Sequence, residues 1–394
     1  MGLYWLGNLA TILPMFSLLV MLPQISQEFN LTSFEMGLLS SIAWLSMSAF
    51  ALPFGAWLSM YRPKPLVTAT LFLGALAGLA QAWAPSYALL FLSRLVFVVS
   101  GVARFTAAPL IIQQWFVPRE VARVNGVTAG IANVGQMLAL AATPLLILLV
   151  GGWRNVFSTY GILMGLVAFV WWAFAREGEA LERPRRGFFQ SWAPLAVFRR
   201  HPSLWVVAAC QIGSALAFAA FLTFWPVFAT QVRGIPLTTT GALLSLWPIG
   251  SVIGAFSAEF LARLLGRAKP IIWFSGFGLV VSYLLLISVD YLPVTALLLF
   301  AIGFFCLVVP PLIQSIPYAY PDIDYREVTV ALGLIQTLTA GGAGLGPLVA
   351  GGLTQVSGSL TFALAVCGLC ASTLATLGFF VPETFAQHRA GRVS

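Results

Sequence analysis

The chain has 394 residues, of which 60% are hydrophobic and only 8% charged, with a formal net charge of +8; an ordinary soluble domain carries roughly 25% charged residues. So few charges cannot cover a water-soluble body of this size, and an aromatic share of 13% excludes a disordered chain, so the solvent of this protein is lipid. Long unbroken apolar runs also exclude an outer-membrane barrel, which needs alternating apolar and polar positions.

Apolar runs bounded by charge, Pro and Gly predict helices over 4–27, 34–60, 66–84, 87–115, 124–150 and 156–175, then over 204–229, 238–262, 270–289, 293–317, 328–355 and 360–381. The long polar interruption at 176–203 divides the chain into an N-terminal six-helix bundle (1–175), a central loop (176–203) and a C-terminal six-helix bundle with a short tail (204–394). The expected fold is an all-α membrane protein of 12 transmembrane helices. The first run has no basic segment before it and no small-residue cleavage site after it, so it is expected to be retained as a span. Sixteen of the 20 Lys and Arg fall on one set of alternate connections, and only Arg154 and Arg233 on the other. The positive-inside rule then places both termini and the central loop in the cytoplasm, in a plasma (bacterial inner) membrane. The positive charge is thereby explained as a topology signal, without a nucleic-acid partner.

The two halves repeat. Arg62-Pro63-Lys64-Pro65 returns as Arg267-Ala268-Lys269-Pro270, and Arg119-Glu120-Val121 with Gly126 returns as Arg326-Glu327-Val328 with Gly333. Gly37-Leu38-Leu39-Ser40 is echoed by Gly241-Ala242-Leu243-Leu244-Ser245. Matches at offsets of 204 to 207 residues and in equivalent places indicate two six-helix pseudo-repeats, with a substrate path between them near the bilayer midplane.

These marks resemble the major facilitator superfamily of secondary transporters. Arg94 stands at the arginine position of that family's fourth helix, Trp115-Phe116-Val117-Pro118-Arg119-Glu120 is similar to its W-F-x-P-R-E, and Gly152-Trp153-Arg154-Asn155-Val156-Phe157 to its G-W-R-x-x-F. Pro382-Glu383-Thr384 resembles a common ending of the twelfth helix. The resemblance implies alternating access, with a cavity lined chiefly by the first, fourth, seventh and tenth helices. The loop after Gly55 departs from the family pattern, because Ser59 and Met60 replace the Asp and Arg of its inter-half charge latch; Glu259, Arg267 and Lys269 keep part of that pattern in the second half. Gly55, Arg119, Glu259, Arg267, Gly346 and Pro347 are the expected gating positions.

Charge buried in lipid is expensive and therefore informative. Only Arg94 and Arg104 lie well inside the predicted spans, while the carboxylates fall at span ends or in loops. The two arginines are ten residues apart, about 15 Å along a helix and roughly 80° around it. Arginine stays charged when buried and presents a planar fork of donors suited to carboxylates and other oxyanions. Arg104 is the leading substrate contact, with Arg94 either a second contact or a brace on neighbouring carbonyls. Asn133, Gln136, Gln211, Gln314 and Gln336, with Asn8 and Thr11, are candidate polar contacts or interhelical bonds.

The chain carries no P-loop, and His201 and His388 fall in polar segments, so no enzyme chemistry, metal site or cofactor is expected. Cys367 and Cys370 form a C-x-x-C inside an apolar span with no basic neighbour to activate it. The expected function is a monomeric secondary or facilitative transporter of a small anion. Without a carboxylate or histidine in the spans, uniport or anion exchange is favoured over proton symport. Two alternatives are an exporter of amphipathic compounds and a non-transporting sensor or assembly factor on the same scaffold.

Overall fold

The structure is a computed structural model and describes residues 1–58, 61–176, 197–320, 322–323 and 325–383. Most of the predicted central loop and the C-terminal tail, with Ser59, Met60 and the side chains of Arg119 and Arg326, lie outside the described residues.

Among the described residues twelve helices are long and apolar enough to cross a membrane: α1 (Gly2–Phe29), α2 (Ser33–Gly55), α3 (Pro63–Ala82), α4 (Tyr87–Thr106), α5 (Arg123–Val150), α6 (Trp153–Phe174), α7 (Ser203–Val232), α8 (Leu237–Leu265), α9 (Lys269–Ser288), α10 (Leu292–Tyr318), α11 (Val330–Ser357) and α12 (Leu360–Gly378). In lipid each backbone group must find its partner within the segment, which is why uninterrupted apolar runs become helices. The predicted run 87–115 is broken at Ala107, and a short helix, Ala108–Trp115, continues it with Pro109 in its first turn.

Polar residues mark the ends. Asn30 closes α1 in the left-handed conformation at φ 51°, which Asn tolerates better than most side chains. Thr32 and Glu35 then form a reciprocal cap on α2: the Glu35 amide donates to the Thr32 hydroxyl (3.2 Å) and the Thr32 amide donates to the Glu35 carboxylate (2.8 Å). The prolines of the repeated basic loops stand in the first turns of α3 and α9. Glu383 of the Pro-Glu-Thr ending caps α9, accepting the amides of Ala268 and Lys269 at 3.0 Å each.

The duplication read from sequence governs the packing. In the first half α3 packs on α4 and α6, α1 on α5, and α2 on α4; in the second half α9 packs on α10 and α12, α7 on α11, and α8 on α10. Every pairing recurs six helices later. The halves meet through α2 with α11, α5 with α8, and α1 with α7. The echoed glycines stand at two of these seams. A methyl group on Gly37 would lie 2.2 Å from the Pro347 carbonyl oxygen of α11, and one on Gly241 would lie 2.6 Å from the Leu140 oxygen of α5. Both backbones approach as closely as glycine permits. Gly346 plays the same part within the second half, against the Leu216 oxygen of α7.

Candidate functional site

On the face away from Met1, buried apolar side chains run continuously across both halves, from Leu18 and Leu22 of α1 through Leu39 and Leu140 to Trp225 and Leu244. Toward the face that carries Met1 the halves part around a cavity of about 810 Å³. Its walls come chiefly from α2, α4 with its short continuation, α5, α7, α10 and α11, with Leu279 of α9 and Leu374 of α12. Trp44 and Phe218 meet edge to face across the halves at 5.9 Å and form the roof, while Gly55, Asn125 and Gly333 stand near the mouth. The molecule is therefore closed on one face and open on the other.

The wall is mostly apolar, and none of its described residues is charged. Hydrogen-bonding capacity comes from Asn125, Thr128, Gln211, Ser214, Gln336 and Thr337. Of the predicted polar contacts, Gln211 and Gln336 do line the cavity. Asn133 instead donates to the Ala129 carbonyl of its own helix (2.9 Å), Gln136 is partly buried on α5 outside the wall, and Gln314 is exposed near the end of α10. The expectation that α1 lines the cavity is corrected: none of the described lining residues belongs to α1, which packs against α5. Trp5 of α1 reaches the wall only through its indole N–H, which donates to Thr128 (2.9 Å).

Both predicted arginines are buried, each 2% exposed, and both turn toward α1 rather than into the cavity. Arg94 donates to the carbonyls of Pro14 (3.2 Å) and Met15 (2.8 Å), and its guanidinium lies 5.4 Å from the centre of the Phe97 ring. It braces α4 against α1. Arg104 donates through Nη2 to Thr11, whose own hydroxyl donates to Gly7 (3.0 Å). Among the described residues its Nε and Nη1 have no acceptor. Phe105 and Thr106, its immediate neighbours, line the cavity, so Arg104 stands just behind the wall. Among the described residues no ion pair to a carboxylate is made by either arginine. Two positive charges in a low-dielectric interior without counter-charge leave the space beside α4 electropositive.

The gating candidates divide by place. Gly55 lines the mouth. Glu259 is exposed and pairs with Arg263 one turn along its own helix, and Arg267 is exposed, so among the described residues Glu259 and Arg267 show no bond across the halves. Glu120 caps its helix by accepting the Val117 amide (3.3 Å), which gives the Trp-Phe-Val-Pro-Arg-Glu stretch a structural job. On the closed face Arg154 gathers three helices. It bonds Glu28 of α1 (2.8 Å) and the Ala82 and Ala84 carbonyls after α3, and it stacks on Trp153, whose indole N–H also donates to Glu28 (2.6 Å). Arg233 pairs with Asp290 at 2.7 Å; burial pulls its guanidinium below the usual arginine range and Asp290 partly offsets this. Both arginines predicted for the outer face are thus paired with acids.

Twelve spans among the described residues, packed in two matching sets around a cavity sealed at one face, have the architecture of a membrane transporter. The profile of the Major Facilitator Superfamily matches residues 4–347, and the chain belongs to that family, a family of transporters and not of enzymes. Over 387 residues it is 24% identical to the "Probable sulfoacetate transporter SauU" of Cupriavidus necator, covering 88% of this chain and 86% of the relative. It is 20% identical to the "Probable L-galactonate transporter" of Escherichia coli, covering 90% and 82%. The fold is similar to the crystal structure of a bacterial homologue of the human lysosomal transporter Spinster, with TM-score 0.75, 16% identity, and coverage of 96% of this chain and 93% of the other.

Proposed function

We propose that this transporter carries a small organic anion, and that the uncompensated charge of Arg104 draws that anion into the cavity. The observation that carries this reading is a guanidinium 2% exposed which, among the described residues, has two nitrogens without an acceptor and no carboxylate partner, and which stands behind a wall whose described residues carry no charge. An anion in the cavity supplies the missing charge. Gln211 and Gln336 offer carboxamides to its hydroxyl or oxo groups, and Trp44 and Phe218 cover its carbon skeleton. The names of two relatives, one for sulfoacetate and one for L-galactonate, support an anionic substrate.

In this reading residues 1–175 and 204–394 are the two rocking bodies. The Lys and Arg distribution supports a cytoplasmic open face, which makes this the inward-facing form in the proposed cycle. The scarcity of carboxylates within the spans favours uniport or exchange. The apolar cavity wall favours a second reading, export of amphipathic compounds.

A thermal-shift screen of the purified protein separates the two, because a specific ligand raises apparent stability by mass action. Small sulfonates and hydroxycarboxylates are expected to stabilise the wild type. Arg104→Met is expected to abolish that shift while leaving the unliganded Tm unchanged or a few degrees higher, since it removes a buried, poorly satisfied charge. Stabilisation by neutral or cationic amphipaths alone, or anion stabilisation undiminished in Arg104→Met, overturns the proposal.

A further inference from the structure

Beyond the roof of the large cavity lies a second, much smaller void of about 20 Å³. Trp44 borders both spaces. The void takes its walls from the two halves: Met15, Ser40 and Arg94 on one side, Leu222 and Thr223 of α7 on the other. A space of this volume holds one water-sized species, and it is too small for a carboxylate or sulfonate substrate.

Its polar groups are unusual. Arg94 spends Nη1 and Nη2 on the carbonyls of Pro14 and Met15, but its Nε has no acceptor. Ser40 is 6% exposed, and its hydroxyl also has no partner among the described residues. Thr223, 2% exposed, adds a third polar side chain. Carbonyl dipoles share the Arg94 protons without cancelling its charge. A water molecule would satisfy the hydrogen bonds and leave that charge standing, whereas a small anion would do both.

We propose that this void is a binding site for a single monatomic anion of the chloride type, held by Arg94, Ser40 and Thr223, and that its occupancy favours the form closed on the outer face. The second part follows from the construction of the site. Thr223 and Leu222 belong to the second half, so the site exists only while α7 lies against α1, α2 and α4. A ligand that binds one of two states shifts the equilibrium toward that state by its differential affinity. The ion is a conformational ligand and not the cargo, so the proposal stands independently of the transported substrate.

The test is thermal unfolding of the full chain at constant ionic strength, with sodium gluconate exchanged stepwise for sodium chloride or bromide. Chloride is expected to raise Tm saturably by about 2–4 °C, with bromide similar and sulfate without effect. Ser40→Ala and Thr223→Val leave the Arg94 brace intact and are expected to weaken the apparent chloride affinity at least about ten-fold. Bromide should give anomalous scattering at the void in crystals. Identical Tm in chloride and gluconate overturns the proposal. So does a chloride effect undiminished in both variants, or a void holding only water in bromide-soaked crystals.

Discussion

Alanine at Gly37 places a methyl group on the seam between the halves. Its carbon would stand 2.2 Å from the Pro347 carbonyl oxygen, where real side chains keep at least 3.0 Å, so α2 and α11 must separate there by about 0.8 Å. Overfilling a packed contact costs about 1–3 kcal/mol. In the proposed rocking cycle that cost falls on the form closed at this face alone, because α2 and α11 belong to the two bodies that would part when it opens. Gly37→Ala is therefore expected to raise the ratio of outward-open to inward-open molecules by roughly 5- to 150-fold with little change in Tm. Gly250→Ala is the control. Its methyl group would lie 2.1 Å from the Phe300 carbonyl oxygen, but α8 and α10 belong to one half, so no rocking relieves the clash and Tm should fall. The assay is labelling from the outer face of a cysteine placed at Leu22, which is fully buried in the outer seal. Its rate should rise in the Gly37→Ala background and not in the Gly250→Ala background. A lower Tm in Gly37→Ala with unchanged labelling would refute the reasoning.

Three further outcomes follow from named contacts. Arg94→Lys keeps the charge but loses the two-carbonyl grip on α1, and should destabilise the fold by about 1–3 kcal/mol, seen as a lower Tm. Arg154→Gln should cost a similar amount through the Ala82 and Ala84 carbonyls, whereas Glu28→Gln, at a half-exposed pair, should cost no more than about 1 kcal/mol; paired melting curves order them. Glu383→Gln removes the anionic cap of α9 and should cost about 0.5–2 kcal/mol, with faster amide exchange at Ala268 and Lys269.

The spans were legible because lipid imposes one rule on every residue within it, and the helix limits fall within a few positions of the apolar runs. The repeats were legible as well, and the structure adds their reason: Gly37 and Gly241 occupy equivalent places on the two seams. The cavity was harder to read. Gln211 and Gln336 stand out in apolar surroundings, but so do Asn133 and Gln314, and a side chain's facing depends on helix rotation that a uniformly apolar span does not record. Trp44, Phe218 and Phe105 went unread for the same reason, since an aromatic in an apolar run carries no mark of facing a cavity. Arg94 and Arg104 drew notice by their charge, yet sequence offered no sign that both turn toward α1. The break at Ala107 was equally hidden, although Pro109 just after it is a known helix-starting residue.

The central claim is that this protein moves a small organic anion under the influence of Arg104. Counterflow in proteoliposomes tests it most directly: vesicles preloaded with an unlabelled sulfonate or hydroxycarboxylate are diluted into the labelled compound, and its transient accumulation is followed. Saturable accumulation in the wild type, reduced at least about ten-fold in Arg104→Met at equal protein incorporation, is the predicted result. No accumulation of any small anion, or flux of a neutral or cationic compound indifferent to Arg104, would contradict it.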